Sequence, residues 1–235
     1  GVAAGTINTI VGSGTLVTFP TLLAVGLPPV TANVSNSLGL FPGSISGSWG
    51  YRRELAGQGA RLRWLMPATT IGGIAGALLV LLLPADAFKA IVPVLIGVGV
   101  LLVVIGPLIS KRLQLHEGRN RWVWPAVFGT GVYGGYFGAA QGVILMAVFG
   151  LGIDDSLQRQ NALKNVLSAL VNLVAAIVFV IVAINRVDWL AAGLLAAGSI
   201  VGGQIGATVG RRLPPLLLRA VIVVVGTVAI VVFMR

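Results

Sequence analysis

The segment GTINTIVGSGTLVTFPTLLAVGLPP, residues 5–29, is largely apolar but contains too much glycine and proline to form one plain helix. A second segment of the same kind, GTGVYGGYFGAAQGVILMAVFGLG, occupies residues 129–152. Each segment therefore predicts two short helices with a break between them. Polar residues adjoin the glycines of both breaks: Ser13 and Thr15 beside Gly12 and Gly14, and Gln141 beside Gly138 and Gly142. We expect half-helices that begin there to direct free backbone N–H groups toward an anion.

The rest of the chain has the composition of a membrane protein. Apolar residues make up 57% of its 235 residues and charged residues 9%, whereas a soluble domain has about 25% charged residues. Further apolar runs approach the roughly 20 residues that a membrane-spanning helix needs: 61–83, 87–109, 166–184, 189–209 and 214–234. These runs lack the alternation of membrane β-strands. The sequence therefore predicts an all-α polytopic membrane protein.

The two halves of the chain look duplicated. The motif GGIAGA at 72–77 returns as GGQIGA at 202–207, and we interpret both as sites of close helix packing. At a separation of 128 residues the halves share further positions: Gly14 and Gly142, Asn33 and Asn161, Ser37 and Asn165, Ser44 and Asn172. We therefore divide the chain into an N-terminal repeat of the membrane domain (1–109), a cytoplasmic linker (110–121) and a C-terminal repeat (122–235).

The basic residues indicate how these repeats are oriented. If both glycine-rich segments were full spans, ten of the 16 Lys and Arg residues would lie on one side of the membrane. If each segment instead returns to its own side, each repeat keeps three full spans and 13 of the 16 lie on the cytoplasmic side, which follows the positive-inside rule better. We therefore predict two inverted repeats, each with a broken or re-entrant glycine-rich helix pair plus three transmembrane helices. Transporters built on this plan bind substrate where the breaks meet.

Two matched polar stripes follow the two breaks, each on one helix face: Asn33, Ser37, Ser44 and Ser48, then Asn161, Asn165, Ser168 and Asn172. Near the breaks we favour substrate contact over hydrogen bonding between helices, in which each bond contributes on the order of 0.6 kcal/mol. Farther away, at Ser44, Ser48 and Asn172, interhelical bonding is at least as good an interpretation. The predicted substrate-binding residues are Ser13, Gly14, Thr15, Asn33, Asn36, Ser37, Gln141, Gly142, Asn161, Lys164 and Asn165.

Lys164 is the residue that most indicates function. A lysine at the centre of a membrane helix costs roughly 2.5–3.5 kcal/mol on insertion scales, so such a residue is first considered functional. Its own helix offers no carboxylate, which leaves an anionic substrate as its natural partner. The alternatives are that Lys164 snorkels to the cytoplasmic interface, or that it pairs with Asp154 or Asp155 in the preceding turn.

Several classes of function are disfavoured by the sequence. It contains no serine, histidine and acid set for catalysis, no intramembrane carboxylate pair and no phosphate-binding loop, so we expect neither an enzyme nor an ATP-driven pump. The lone His116, in the polar linker, does not predict a metal site, and no cofactor is expected. The net charge of +10 comes from short clusters between apolar runs, which is how membrane topology is specified, so no nucleic-acid partner is expected.

A family resemblance adds a substrate class. The first-half sequence AGTINTIVGSGTLVTFPTLLAVGLPPVTANVSNSLGLFPGSISG, followed by YRRE, together with NALKN in the second half, resembles the sulfite exporter TauE/SafE family of membrane permeases. The second half has GAAQG and lacks a proline equivalent to Pro20, so the two breaks are not expected to be identical. The resemblance implies export of small sulfur oxyanions or organosulfonates.

The leading hypothesis is a secondary transporter in the plasma membrane that crosses the bilayer several times and exports such anions by alternating access. The alternatives are a permease for another small organic anion, an anion channel, or a structural membrane subunit whose polar stripes only join helices. The expected partners are a small anionic substrate and the lipid bilayer. The sequence does not specify an oligomeric state.

Overall fold

The computed structural model describes residues 1–84 and 121–209, together with positions 87–88, 90–91, 93–98, 100–101, 220, 224 and 227. The predicted linker 110–121, apart from Arg121, lies outside the described residues. So do most of the apolar run 214–234 and much of the run 87–109.

The described residues are predominantly helical and contain no strand. The first half has α1 (Val2–Ile10), α2 (Thr15–Ala24), α3 (Pro29–Gly50) and α4 (Gly59–Leu82). The second half has α5 (Val123–Tyr136), α6 (Gln141–Gly152), α7 (Leu157–Ala183), a 3-10 turn (Ile184–Arg186) and α8 (Trp189–Val209). The prediction of an all-α protein is confirmed for this part of the chain.

Three of these helical segments are long and apolar enough to cross a membrane, by length and composition: Gly59–Leu82, Leu157–Arg186 and Trp189–Val209. They confirm three of the predicted spans. Helix α3 is of similar length, 22 residues, but is not among the three. Its asparagines, serines and glycines are largely buried, as expected for a helix that lies inside a bundle and not against lipid.

Both glycine-rich segments form two helices with a break, as predicted. The first break is residues 11–14 and turns at Gly12, whose φ is +81°; the second is residues 137–140 and turns at Gly138, whose φ is +74°. Such left-handed values favour glycine because a side chain would clash with the backbone. The breaks are not identical, since Ala140 also has a positive φ of 60° whereas Gly14 does not.

Each helix pair folds back on itself. A Cβ placed on Gly14 would meet the carbonyl of Ala4 and the side chain of Asn8, so the chain turns back along α1 after the first break. In the second pair, Gly152 at the end of α6 lies against Trp122 and Val123, where α5 begins. The two pairs are therefore helical hairpins.

The small-residue motifs pack as predicted, and their contacts give the helix directions. On α8, Gly202 faces the backbone of Val2 and Thr6, and Gly206 faces Thr6 and Thr9, so α1 runs parallel to α8. On α4, Gly72 faces Phe128 and Val132, and Gly76 faces Val132 and Tyr136, so α5 runs parallel to α4. Each hairpin thus packs on the last described long helix of the other half.

Helices α3 and α7 cross the centre in opposite directions. The backbone N–H of Asp188, just beyond α7, donates to Ser35 Oγ near the start of α3 at 2.8 Å. Asn172 Nδ2, farther back on α7, donates to Ser44 Oγ farther along α3 at 3.3 Å. Between these helices the two breaks meet, since the N–H of Gly142, in the first turn of α6 just after the second break, donates to Gly12 O at 3.1 Å.

One end of the bundle is rich in arginine. There the α3–α4 loop meets the α6–α7 loop, because Arg61 and Arg159 both bind the Asp155 carboxylate and Arg159 Nη1 donates to Ala56 O at 3.0 Å. We call this the arginine-rich end. Arg186 lies at the opposite end, beside the start of α8.

Candidate anion-binding site at the two helix breaks

The contact between the two breaks is too close for a side chain. A Cβ added to Gly142 would lie 2.5 Å from Gly12 Cα and 3.0 Å from Lys164 Cδ. Glycine at position 142 therefore lets the second break approach the first and lets the Lys164 stem lie against it. All eleven predicted site residues are buried.

Lys164 lies at the centre of this arrangement. Its side chain is wholly buried, and Nζ donates to Thr9 O at 3.0 Å and to Asn8 O at 3.3 Å, both in the last turn of α1. Asp155 instead binds Arg61 and Arg159. Within the described residues Lys164 thus neither snorkels to an interface nor pairs with an aspartate, and both alternatives from the sequence disagree with the structure.

The α1 carbonyls satisfy the ammonium only in part. The last carbonyl groups of a helix lack helical N–H partners and carry about half a negative elementary charge in total. An ammonium has three protons, and two of them are used here. The described part of the chain places no carboxylate in contact with Nζ, so a buried positive charge remains that an anion would neutralise.

Unpartnered hydrogen-bonding atoms accumulate at the same breaks. Among the described residues, the buried donors without a hydrogen-bond partner include Ser13 Oγ in the first break, Gln141 Nε2 beside the second, and Asn165 Nδ2 and Ser168 Oγ on the face of α7 next to Lys164. Buried polar groups in native proteins are normally hydrogen-bonded, so this group of free donors favours a ligand that accepts hydrogen bonds. Asn33 Oδ1 and Asn161 Oδ1 are also unpartnered, as acceptors.

Other predicted site residues are already bonded. Asn36 accepts a hydrogen bond from Thr18 and donates to Thr15 Oγ1 at 3.2 Å, which joins α3 to α2. Ser37 Oγ donates to Asn33 O at 3.0 Å within α3. These contacts position the first hairpin, and the hydroxyls and amide concerned are less available to a ligand than the free donors are.

The backbone N–H groups of Gly14 and Gly142, expected to be free, are hydrogen-bonded within the protein. Gly14 N donates to Asn8 Oδ1 at 3.3 Å, and Gly142 N donates to Gly12 O at 3.1 Å. The expectation that both N–H groups are free for an anion is therefore not met in this conformation. Gly14 N is bonded because the first hairpin turns back along α1, which brings Asn8 within reach. Gly142 N is bonded because the start of α6 packs against the first break.

Asn8 is a residue that sequence reasoning missed. Its Oδ1 accepts from Gly14 N, and its Nδ2 donates to Ser44 Oγ at 3.1 Å, so one side chain joins α1, α2 and α3. Asn172 also donates to Ser44, in agreement with the interhelical interpretation of that pair. The repeat comparison could not indicate Asn8, because the residue 128 positions later is Tyr136. The available signal was a lone amide in an apolar segment.

Asn33 makes a contact between the halves. Its Nδ2 donates to Tyr136 O, the last residue of α5, at 2.9 Å. Lys164 makes the corresponding contact in the other direction, from α7 to the end of α1. Each half therefore supplies the side chain that caps the first half-helix of the other.

Comparison with known proteins identifies the family of this chain. The profile of a family described as sulfite exporter TauE/SafE matches residues 1–233. The probable membrane transporter protein YfcA of Escherichia coli (strain K12) is 28% identical over 231 residues, which cover 96% of this chain and 83% of that protein. A probable membrane transporter protein of Haemophilus influenzae is 26% identical over 230 residues, covering 95% and 88%.

A third relative, the probable membrane transporter protein ORF9 of a Sinorhizobium species, is 28% identical over 233 residues, covering 94% of this chain and 85% of that protein. No solved structure matches the chain. The family and the names of these relatives indicate a membrane transporter and not an enzyme. Because the family profile covers nearly the whole chain, this protein belongs to the sulfite exporter TauE/SafE family of membrane transporters.

Proposed function

We propose that this protein is a secondary transporter of the plasma membrane that exports small sulfur-containing anions, sulfite or organosulfonates, by alternating access. The observation that carries the proposal is Lys164, a wholly buried ammonium that contacts only backbone carbonyls among the described residues. Burying a charge in a protein is energetically unfavourable, so a buried ammonium is usually functional, and binding of an anionic substrate would neutralise it.

The free donors suit an oxyanion. A sulfonate or sulfite presents three oxygens, each of which accepts hydrogen bonds. The Ser13 hydroxyl and the Gln141 and Asn165 amides are unpartnered donors at the breaks, and the third ammonium proton of Lys164 adds to them. Hydrogen bonds to a charged group are shorter and stronger than those between neutral groups, so this donor set favours an anion over a neutral solute.

The sulfur-containing substrate class rests on the family. The family description refers to sulfite export, whereas the similar proteins are named only as probable membrane transporters. The donor set agrees with a sulfur oxyanion, which accepts several hydrogen bonds at once.

The packing supports inverted repeats. Helix α1 runs parallel to α8 and α5 runs parallel to α4, while α3 and α7 run in opposite directions. Exchanging the two halves therefore exchanges equivalent contacts and reverses every direction, as an axis in the membrane plane requires. On this arrangement the first hairpin enters from the Arg186 side and the second from the arginine-rich side, which we assign to the cytoplasm.

The burial of the site supports alternating access. All eleven candidate residues are buried, so the structure resembles an occluded state in which the site is closed to both sides. A channel would need a continuous path past these side chains. The membrane potential, inside negative, favours export of an anion by about 2.3 kcal/mol per charge per 100 mV, so efflux needs no coupled ion.

Transport by the purified protein in liposomes tests the proposal. Liposomes loaded with sulfite or methanesulfonate should release the anion with saturable kinetics. When the internal anion is labelled, adding unlabelled anion outside should increase the rate at which the label leaves the liposomes. A conductance without saturation or exchange would identify a channel. Saturable transport of small carboxylates but of neither sulfur anion would contradict the substrate class.

A further inference from the structure

The end of α1 is held by donors from the second half of the chain. Lys164 Nζ donates to Asn8 O and Thr9 O, and Gly142 N donates to Gly12 O. Because α1 ends at Ile10 and the chain turns at Gly12, these carbonyls have no helical N–H partner of their own. Lys164 is therefore the C-terminal cap of α1, supplied from a residue more than 150 positions away.

The caps of the two hairpins differ in charge. The end of α5 is capped by a neutral amide, Asn33 Nδ2, which donates to Tyr136 O. The end of α1 is capped by an ammonium, whose attraction to a helix C-terminus includes the helix dipole. An arriving anion therefore competes for the α1 cap and has no comparable effect on the α5 cap.

An anion and the end of α1 cannot share the ammonium without repulsion. The last turn of α1 carries partial negative charge, and an anion bound to Nζ in its present place would lie against it. Partial positive charge lies just beyond the breaks, where α2 begins at Thr15 and α6 begins at Gln141. The favourable place for the anion is on that side, beside the free donors Ser13 and Gln141.

We propose, on the basis of the anion transport inferred above, that the Lys164 ammonium alternates between the α1 carbonyls and the bound oxyanion. Binding of the anion turns the ammonium away from Asn8 O and Thr9 O and leaves the end of α1 uncapped. The flexible lysine stem lies against Gly142, where a Cβ would come within 3.0 Å of Lys164 Cδ, so glycine is needed there for the stem to reach the breaks. Lys164 thus contacts the anion directly, and its departure from the α1 carbonyls changes the end of α1 when the anion binds.

The uncapped end of α1 is well placed to transmit this change. Helix α1 lies against the small-residue motif of α8 at Gly202 and Gly206, where the two helices approach closely, so a displacement of α1 would change its contacts with α8. A ligand shifts a conformational equilibrium only by its differential affinity for the two states. Here the two states differ in the partner of the Lys164 ammonium. The anion binds the ammonium only in the state in which the ammonium has left the α1 carbonyls.

Hydrogen exchange measured by mass spectrometry on the purified full chain tests this exchange of partners. With saturating methanesulfonate, amides of residues 11–14 should exchange roughly tenfold faster, the factor expected for loss of a bond to a charged group. Amides of residues 137–140, capped by Asn33, should be unchanged in the same sample. Lys164→Met should exchange fast at 11–14 without anion and show no further response, and Asn33→Ala should loosen only residues 137–140.

Two outcomes separate this inference from the proposed function. If methanesulfonate or sulfite raises the thermal stability of the wild-type protein, yet residues 11–14 exchange more slowly or change together with residues 137–140, the alternation of Lys164 is wrong and anion binding stands. If neither anion changes thermal stability at any concentration, the proposed substrate is wrong and the inference falls with it. The comparison of the two breaks within the wild-type protein does not depend on folding of the variants.

Discussion

At the residue scale, the central feature is one ammonium group whose protein partners in this structure are two carbonyl oxygens. Buried ion pairs are common ways to keep a charge inside a protein, but Lys164 has no such pair among the described residues. The aspartate nearest in sequence, Asp155, is committed to two arginines. The ammonium of Lys164 therefore has no carboxylate to neutralise it among the described residues.

Substitutions of Lys164 should lower the affinity for the anion and the rate of transport. Lys164→Ala should weaken binding of sulfite or methanesulfonate by about tenfold or more, because a hydrogen bond to a charged group contributes roughly 1.5–3 kcal/mol. Lys164→Arg should retain more binding but transport poorly, since a planar guanidinium does not replace a compact ammonium. Thermal-shift titration and liposome flux measure the two effects. Asp155→Asn is the matched control, and equal affinity loss in that variant would contradict a direct role for Lys164.

Glycine 142 should be intolerant of a single methyl group. Gly142→Ala places Cβ 2.5 Å from Gly12 Cα and 3.0 Å from Lys164 Cδ, so the breaks must separate. We expect a loss of about 1–3 kcal/mol in stability, the usual cost of overpacking, and a loss of transport. Gly129→Ala in α5 is the control, because no atom of the described residues lies within 4 Å of its added Cβ. Comparable melting temperatures for the two variants would show that the breaks do not meet as described.

At the element scale, the two hairpins depend on side chains from outside themselves. A short helix is marginal on its own, and α1 and α2 have nine and ten residues. From outside the first hairpin, Lys164 of α7 and Asn36 of α3 hold these helices, and Asn8 adds a contact across the break within the hairpin. The hairpins are therefore elements whose stability is set by tertiary contacts, which suits parts of a transporter that change position.

The loops at the arginine-rich end form a second connection between the halves. Burial by itself raises the pKa of Asp155, but hydrogen bonds from Arg159 and Arg61 and from the Ser156 N–H outweigh it, so the pKa of this carboxyl is lowered. Gln58 Nε2 adds a hydrogen bond to Arg159 O at 2.9 Å. The connection joins the start of α4 to the start of α7.

This connection predicts acid sensitivity. A carboxyl whose pKa is lowered by folding contributes stability above its unfolded pKa of about 3.9, and that contribution disappears as the pH falls through the folded pKa. Asp155→Asn should therefore lower the melting temperature of the purified protein at pH 7. The difference in melting temperature between this variant and the wild type should become smaller as the pH falls below about 4. A difference that stays constant from pH 7 to pH 3 would exclude the ionised carboxylate as the source.

At the scale of the whole molecule, the two halves interlock through exchanged contacts. Each hairpin packs on a long helix of the other half, and each is capped by a side chain of the other half. Neither half can therefore form its complete set of contacts alone. These contacts link the position of one half to that of the other, which supports the alternating access proposed above.

The inverted arrangement predicts opposite exposure of the two ends. The chain contains no cysteine, so introduced cysteines report without background. Gln58 is buried and hydrogen-bonded, which makes the exposed Ala60 the better position at the arginine-rich end. In intact cells, Asn185→Cys should react with a membrane-impermeant thiol reagent and Ala60→Cys only after permeabilisation. Reaction of both in intact cells would contradict the inverted topology.

The sequence by itself determined the membrane class, the helical fold and the position of both breaks. These features depend on local properties: the apolar length that spans a bilayer, and the freedom of glycine to turn the backbone at Gly12 and Gly138. It also identified a set of polar residues that the structure finds buried near the breaks. Local pattern is sufficient there because charge and polarity in an apolar helix are visible without knowing any neighbour.

Only the tertiary structure decided which of these groups are free. The amides of Gly14 and Gly142 are already bonded, Asn8 joins three helices, and Lys164 caps α1 from the other half of the chain. A hydrogen bond depends on where its partner lies in space. Lys164 is 155 residues from Thr9 and 156 residues from Asn8 in the sequence, yet it bonds to both. Periodicity along one helix cannot identify an acceptor that a different helix brings into reach, because that position is fixed by packing between the two halves.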